Sequence, residues 1–190
     1  SRFSDGSLVG ACHATNLCCF SFHPVKTIAM GEGGAVTTRD GVLAERLERL
    51  RSHGMIREPA RFRNKLLGFG PDGAPNPWYY EMPEPGYNFR ASDIHCALGL
   101  SQLRKLDRFA ARRSELAARY DALLAPMSPL VIPVSRYAMG RPIWHLYATL
   151  IDFVAAGLSR SAVMARLRAQ GIGSQVHYVP VHRQPYYVER

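Results

Sequence analysis

The sequence predicts an α/β fold, in which short strands alternate with amphipathic helices. Apolar residues recur at helical spacing after Asp40, after Ser92 and after Ser159, and each of these three residues is a good helix N-cap. Strand-like runs surround a glycine cluster at residues 31–34 and return in the last third of the chain. Residues 57–87 carry six prolines, which predicts an excursion over the surface that contributes little to the core.

The first elements follow from the segment around the glycine cluster. The runs "KTIAM" and "AVTT" flank "GEGG", so residues 26–38 are predicted to form a strand, a glycine turn and a second strand. Asp40 then begins a helix with leucines at helical spacing. We expect His53 and Gly54 to end this helix, because a left-handed residue commonly follows a helix C-terminus.

A strongly helical stretch runs from Ser92 to about Ala125 and is predicted to contain two helices. Its apolar residues recur at intervals of three and four, which predicts a buried face. The residues predicted to be buried are Ile94, Leu98, Leu103, Leu106, Phe109, Leu116 and Tyr120.

The last third of the chain is predicted to be a separate α+β unit, with a boundary near Pro126. Residues 130–134 and 143–151 have the composition of strands, and a helix follows Ser159. Residues 174–181, "SQVHYVPV", are predicted to form one more strand.

The composition of the chain favours some classes of binding partner over others. The chain has 190 residues, of which 47% are hydrophobic, and this is enough to bury a core. A net charge of +9 favours an anionic partner such as nucleic acid, an acidic membrane surface or a phosphorylated small molecule. Arginines are interleaved with glutamates, which favours solvated helix faces over a nucleic-acid surface. No run approaches the roughly 18 apolar residues of a membrane span, so neither nucleic acid nor a membrane is predicted as a partner.

The cysteines and histidines do not follow a metal-site pattern. His177 and His182 are five residues apart and His145 is distant, which matches no common ligand spacing, so no metal is predicted. The cysteines show no C-x-x-C spacing, and this favours a reduced, cytoplasmic chain. They are Cys12, Cys18, Cys19 and Cys96.

Lys26 is the candidate for covalent chemistry with an aldehyde. It is one of three lysines in a chain with 21 arginines, and it lies between a proline and the glycine cluster. A neutral lysine amine can condense with an aldehyde, which arginine cannot do, and Ser21 is a suitable hydroxyl donor for a phosphate. Pyridoxal phosphate is the cofactor most often held in this way. The residues alone also fit a solvated turn lysine, which is the commoner situation.

The string "SFHPVKTIAMGEGGAVTT" resembles the lysine segment of the DegT/StrS family of pyridoxal-phosphate-dependent sugar-nucleotide aminotransferases. Similar strings follow in the family's order: "LRSHGMIRE", "WYYEMPEPGYNFRASDIHCALGLSQLRKLDRFAARR", "WHLY" and "GIGSQVHYVPVHRQPYY". Within the family, the spelling is most similar to the branch that acts in pseudaminic acid synthesis. The resemblance implies part of a fold-type I aspartate aminotransferase-like fold, with the end of the large cofactor domain and most of a small α+β domain.

The resemblance also implies roles for individual residues. Lys26 matches the Schiff-base lysine, and Ser21 matches the serine that donates to the cofactor phosphate. Asn88 matches an asparagine that reaches the cofactor phosphate of the neighbouring subunit, which implies a homodimer. The implied candidates for substrate binding are His177, Tyr178 and His182.

The implied reaction transfers an amino group from L-glutamate to C4 of a UDP-linked 4-keto-6-deoxy amino sugar. The family's glycine and threonine phosphate loop and its aspartate for the ring nitrogen have no match in this sequence. The expected alternative is therefore a catalytically inactive fragment that only folds or dimerises. The implied segments are 1–56 as the C-terminal part of the large domain, 57–91 as a dimer arm, 92–125 as connecting helices and 126–190 as an incomplete small domain.

Overall fold

A computed structural model describes residues 1–134 and 140–189. The chain forms two compact units, each with its own internal packing. The assignment of segments to a cofactor domain, a dimer arm, connecting helices and a small domain stays a prediction. Of the described residues, the first unit contains 1–117 and 140–146, and the second contains 118–134 and 147–189.

Six short strands and six α-helices form among the described residues. Strands β1 to β6 are Arg2–Phe3, Cys18–Ser21, Gly34–Thr37, Val131–Pro133, Gly140–Arg141 and Thr149–Ile151. Helices α1 to α6 are Gly41–Arg51, Lys65–Gly68, Asp93–Leu103, Leu106–Leu124, Arg160–Ala169 and Pro185–Val188. Turns of 3₁₀ helix occupy Pro59–Arg61, Ala125–Met127 and Val181–Arg183. The strands pair antiparallel as β1 with β5, β2 with β3, and β4 with β6.

The β2–β3 hairpin corrects the strand prediction for residues 26–30. The strand that pairs with β3 is β2, with Cys18 opposite Thr37 and Ser21 opposite Gly34. "KTIAM" is instead part of the long loop that joins the two strands. The physical reason is local, because the Lys26 N–H donates to the His23 carbonyl at 2.9 Å and closes a turn there.

Helix α1 begins and ends where the sequence predicts. The Asp40 carboxylate accepts the N–H groups of Val42 and Leu43, which confirms the N-cap. His53 and Gly54 follow the helix with φ angles of 62° and 72°, as expected for a left-handed C-terminus.

The proline-rich excursion has a small core of its own, which corrects the expectation that it contributes little. Phe62 is only 3% exposed and contacts the Tyr79 ring edge-on, with centroids 4.9 Å apart. Glu81 links two parts of the excursion, since its carboxylate accepts the N–H groups of Arg63 and Asn64. The sequence prediction weighted the prolines and overlooked the aromatic residues between them.

Two helices, α3 and α4, confirm the helical prediction after Ser92, whose hydroxyl accepts the His95 N–H. The predicted buried face is wrong for most of its residues. Ile94 is 81% exposed, because α3 packs the adjacent side of the helix, which bears His95 and Gly99, against the lysine loop. Leu106 and Phe109 are half-buried, and the other exposed candidates are Leu98, Leu103, Leu116 and Tyr120.

In the second unit, β4 pairs with β6 and Ser159 caps α5, as predicted. The predicted strand over residues 143–151 is shorter, since only Thr149–Ile151 is paired. Residues 174–181 form no strand in the described structure, and each of them is exposed. An alternating pattern predicts a strand only if a neighbouring strand can supply hydrogen bonds, and here residues 174–181 have none.

Candidate active site

Lys26 lies in the loop that connects β2 to β3, here called the lysine loop, residues 22–33. Ser21 is the last residue of β2 and lies at the start of this loop. The Ser21 hydroxyl oxygen accepts the His23 N–H at 3.5 Å, and the His23 carbonyl accepts the Lys26 N–H. Ser21 and the half-buried residue Lys26 therefore belong to one end of the hairpin, joined by a single turn.

The lysine loop is closed by backbone hydrogen bonds on both sides of Lys26. The Phe22 N–H donates to the Gly33 carbonyl at 2.9 Å, and the Met30 N–H donates to the Phe22 carbonyl at 2.9 Å. Gly33 has a φ of 157°, and a Cβ there would lie 2.7 Å from the Met30 sulfur. The glycine cluster therefore allows the chain to return to β3 against Met30.

Two buried residues hold the second half of the lysine loop in the first unit. Ile28 is 8% exposed and Met30 is 5% exposed. A Cβ on Gly99 of α3 would lie 3.3 Å from the Met30 Cβ, so the missing side chain makes room for Met30. The Lys26 backbone is thus held between a hydrogen-bonded turn and a buried anchor, which differs from a freely solvated turn.

A contact between a histidine and a glutamate spans the lysine loop. His23 Nε2 lies 3.6 Å from Glu32 Oε1, and both side chains are exposed. An exposed pair of this kind contributes at most about 1 kcal/mol, so the buried anchor at Met30 is the stronger restraint on the loop.

Asn88 lies on a strip of chain that runs alongside the end of α1. It forms an isolated antiparallel bridge with Ser52, and its side chain is exposed. Its neighbours Tyr87 and Phe89 stack with their ring centroids 4.8 Å apart and an interplanar angle of 4°. The strip therefore presents Asn88 on an ordered surface of the first unit.

The three predicted substrate residues lie in the second unit, and all are exposed. The rings of His177 and Tyr178 are 4.8 Å apart, and Tyr178 has a φ of 46°. His182 belongs to the 3₁₀ turn Val181–Arg183. The structure therefore places these three residues on one exposed segment, and it places Ser21 and Lys26 five positions apart at one end of the hairpin in the other unit.

Sequence reasoning missed the residues that hold the lysine loop, namely Met30, His95 and Gly99. The signal for Gly99 was present, because a glycine inside a strong helical pattern usually has a packing reason. Over residues 1–134 and 140–189, no group of three or more His, Cys, Asp or Glu side chains could hold a metal ion. The described helices also include none that is long and apolar enough to cross a membrane.

A sequence profile of the DegT/DnrJ/EryC1/StrS aminotransferase family matches residues 4–190. The chain belongs to this family. The spore coat polysaccharide biosynthesis protein SpsC of Bacillus subtilis (strain 168) is 39% identical over 169 residues, which cover 88% of this chain and 41% of SpsC. The family resemblance in the sequence is therefore confirmed.

Solved structures of the family show the same fold. PseC of Helicobacter pylori, an aminotransferase involved in the biosynthesis of pseudoaminic acid, matches with 30% identity and a TM-score of 0.74, over 92% of this chain and 42% of PseC. A Streptococcus pneumoniae relative in its PLP form matches with 25% identity and a TM-score of 0.77, over 99% of this chain and 43% of that relative. The chain thus spans about two fifths of the length of these relatives, and its part of the fold-type I fold is confirmed.

The family uses pyridoxal phosphate, and the residues of this chain fit that cofactor. Lys26 offers a primary amine for an aldehyde, and Ser21 offers a hydroxyl donor for a phosphate, at the same end of the hairpin. The closed lysine loop fixes the backbone of both residues. Lys26 and Ser21 therefore fit two of the groups that the cofactor presents, its aldehyde and its phosphate.

Proposed function

We propose that this chain forms the lysine-bearing part of the active site of a pyridoxal-phosphate-dependent sugar aminotransferase. The observation that supports this function is the lysine loop, which places the half-buried residue Lys26 and the hydroxyl of Ser21 at one end of the β2–β3 hairpin. The buried anchor at Met30 supports it further, because a reacting amine must be held in place.

Lys26 Nζ has two tasks in this proposal. When bound, pyridoxal phosphate supplies an aldehyde for the amine and a ring that withdraws electrons from the substrate carbon. Lys26 would offer the amine that condenses with that aldehyde with loss of water, and the same amine, when free of the cofactor, would move a proton at the substrate carbon. Ser21 donates its hydroxyl hydrogen to the phosphate, where a charged acceptor strengthens the bond.

Asn88 and the exposed segment of the second unit complete the assignment. We assign the Asn88 amide to the cofactor phosphate of a second subunit in a homodimer, since its side chain is exposed on an ordered strip. His177, Tyr178 and His182 are assigned to the sugar substrate, which their ring nitrogens and hydroxyl can bind through hydrogen bonds.

The proposed amino donor is L-glutamate, and the proposed acceptor is a UDP-linked 4-keto-6-deoxy amino sugar that is aminated at C4 in the cytoplasm. SpsC and PseC both belong to sugar pathways, and PseC acts in that of pseudoaminic acid, which supports a sugar acceptor of this kind. An uncharged 4-keto group would be converted into an amine, while the diphosphate would supply charge for binding.

Borohydride trapping tests the central assignment. The chain is incubated with pyridoxal phosphate, reduced, digested and mapped by mass spectrometry. We expect the pyridoxyl adduct on Lys26, and we expect Lys26→Arg to lose it, because a guanidinium cannot form the bond. Lys65→Arg and Lys105→Arg are matched controls that should keep the adduct. An adduct confined to Lys65 or Lys105 would contradict the assignment of Lys26 as the lysine that bonds to the cofactor.

A second candidate is a chain that folds and self-associates without bonding the cofactor. The observation that favours it is the large apolar exposure of the first unit, such as Ile94 at 81%. The same trapping experiment separates the two functions. A folded chain that self-associates and carries no adduct on any of its three lysines would support this second candidate.

A further inference from the structure

The β2–β3 hairpin has one half-buried face and one exposed face. Side chains alternate along each strand, so Cys18 and Phe20 share a face with Thr37, which lies directly opposite Cys18. These three residues are half-buried, whereas Cys19, on the other face of β2, is exposed. The two adjacent cysteines therefore lie in different surroundings.

Residues 10–12, here called the covering segment, pack on the half-buried face. A Cβ on Gly10 would lie 2.5 Å from the Phe20 ring, so the backbone of the segment contacts that ring closely. The Thr37 hydroxyl donates to the Gly10 carbonyl at 2.8 Å. The covering segment ends at Cys12, which is also half-buried. A second cysteine is thus held on the face of the hairpin that carries Cys18.

The Cys12 thiol lies beside Thr37. Its Sγ is 3.3 Å from the Thr37 carbonyl oxygen and 3.5 Å from the Thr37 hydroxyl oxygen. Hydrogen-bonded pairs alternate along an antiparallel ladder, and the Phe22 N–H donates to the Gly33 carbonyl. By this alternation, Thr37 belongs to a hydrogen-bonded pair and its carbonyl points toward β2. Cys12 Sγ therefore lies on the side of β3 that faces Cys18.

The chain between the two cysteines has few restraints. Residues 13–17 are all exposed, and no backbone–backbone hydrogen bond among the described residues involves residues 12–17. Side-chain contacts hold this stretch, such as the bond from the Thr38 hydroxyl to the Asn16 carbonyl at 2.7 Å. A disulfide needs Cβ atoms about 3.5–4.5 Å apart, and directly opposite residues of a β-ladder have theirs at about 4.5–5.5 Å. A short movement of Cys12 from Thr37 toward the residue opposite it meets this requirement.

We propose that Cys12 and Cys18 form a modification site, a reversible disulfide that closes by exchange with a small-molecule disulfide such as oxidised glutathione. One cysteine thiolate attacks a glutathione sulfur and releases one glutathione thiolate, which leaves a mixed disulfide. The other cysteine thiolate attacks the protein sulfur of that bond and releases the second glutathione thiolate. The two protons lost by the cysteines pass to the glutathione thiolates. Two protein thiols are thereby oxidised, and one glutathione disulfide is reduced.

The fold favours this pair over the others that the sequence offers. Cys19 is adjacent to Cys18, but its side chain lies on the opposite face of β2. Cys96 is an exposed residue of α3. The new bond would fix the covering segment to β2, the strand that leads into the lysine loop. It uses neither Lys26 nor Ser21, so the site does not depend on the proposed function.

Differential alkylation of the full chain, equilibrated with oxidised and reduced glutathione, tests the site. Free thiols are blocked with one maleimide, disulfides are reduced, and the released thiols are labelled with a second maleimide and located by tandem mass spectrometry. We expect the second label on Cys12 and Cys18 and the first on Cys19 and Cys96. The intact mass should show no added glutathione, which separates the internal bond from a mixed disulfide. Treatment with dithiothreitol before blocking should remove the second label.

Cys19→Ser and Cys18→Ser are matched variants, because each leaves Cys12 one partner in β2 at nearly the same distance along the chain. In the folded chain, the equilibrium constant for the internal disulfide should be at least about tenfold larger in Cys19→Ser than in Cys18→Ser. In denaturant the two constants should agree within about twofold, since the closed loops differ by one residue.

Three results would overturn the proposal, with circular dichroism confirming that each chain is folded. The first is that Cys12 and Cys18 of the unchanged chain take only the first label in excess oxidised glutathione. The second is a bond to Cys19 or Cys96, or a glutathione adduct, in place of the internal bond. The third is an equal equilibrium constant for the two folded variants, which would mean that closeness in sequence alone selects the pair.

Discussion

Gly99 is the residue that lets the lysine loop sit against α3. Because Gly99 lacks a side chain, Met30 can lie in the space where a Cβ would be 3.3 Å away. Met30 in turn is 5% exposed, and it anchors the half of the loop that follows Lys26. The path of the loop that carries Lys26 is therefore set partly by a glycine on a separate helix.

Gly99→Leu should displace Met30 and loosen the lysine loop. We expect a loss of about 1–3 kcal/mol in the free energy of unfolding, as is usual for overpacking, together with a lower yield of trapped adduct at Lys26. Denaturant unfolding and peptide mapping measure the two effects. Gly99→Ala is the matched control, because the helix propensity gained, about 1 kcal/mol, offsets the tight contact. Equal stability for Gly99→Leu and the unchanged chain would show that Met30 is not anchored there.

The stability of the folded excursion depends on pH through the Glu81 carboxyl group. Its carboxylate accepts the N–H groups of Arg63 and Asn64 at 2.8 and 2.6 Å and the Tyr79 hydroxyl at 3.0 Å. These bonds, that of Arg63 foremost, lower the pKa of Glu81 below its ordinary value. A carboxyl group with a lowered folded pKa stabilises the folded state above its unfolded pKa, about 4.3, and this stabilisation is lost as the pH falls through the folded pKa.

Amide hydrogen exchange measures this dependence at the two donors. After correction for intrinsic rates, the Arg63 and Asn64 amides should be protected at neutral pH and lose protection as Glu81 becomes protonated. Glu81→Gln should remove the pH step, since an amide does not titrate in this range. The Met30 amide, which donates to the Phe22 carbonyl, is the internal control and should show no step. Protection of Arg63 that stays constant into acid would contradict the role of Glu81.

The junction between α1 and the excursion depends on one glycine. Gly54 has a φ of 72°, and a Cβ there would lie 1.8 Å from the Glu84 carbonyl oxygen. Gly73 has a similar φ of 77° but open space around it. The two glycines therefore separate the effect of backbone strain from the effect of a steric clash.

Gly73→Ala should lose about 1 kcal/mol in the free energy of unfolding, from the left-handed conformation alone. Gly54→Ala should lose clearly more, about 3 kcal/mol or above, because the backbone of residue 84 must also move. Chemical denaturation of both variants measures the difference. Similar losses for the two variants would mean that the end of α1 is not held against the excursion.

Elements whose signals are local were predictable from the sequence. The N-caps Asp40, Ser92 and Ser159 each accept N–H groups at the predicted helix starts, because a cap depends on residues within one turn. The strand predictions at residues 26–30 and 174–181 were wrong, because a strand requires a partner elsewhere in the chain.

The same distinction between local signals and long-range packing applies to the candidate site. The candidates Lys26 and Ser21 could be selected from residue chemistry and motif, and their roles stay predictions. The contact of Met30 with Gly99 joins residues 69 positions apart, and no local pattern specifies such packing.

Over the whole molecule, the accessible surface is 14806 Å². A monomeric protein of 21.2 kDa is expected to expose about 9,100 Å². Few apolar side chains are buried among the described residues, in keeping with this large exposed area. They are Ile28, Met30, Ile56, Phe62, Ala117 and Val131.

The excursion and the strip after it carry a group of exposed aromatic and methionine side chains, here called the aromatic surface. Aromatic residues and methionine are enriched in the centres of protein interfaces. Tyr87 and Phe89 are already stacked, so little side-chain entropy remains to be lost on binding. The members of the aromatic surface are Trp78, Tyr80, Met82, Tyr87 and Phe89.

Self-association through the aromatic surface is the expected result of this exposure. Sedimentation velocity at micromolar concentration should show dimers or larger species, because burying these side chains removes apolar area from water. Phe89→Ser and Met82→Ser should each weaken association by about tenfold or more. Val154→Ser is the matched control, since Val154 is 92% exposed in the second unit and does not belong to the aromatic surface. A folded chain that sediments as a monomer, or association that responds to Val154→Ser alone, would remove the aromatic surface as the interface.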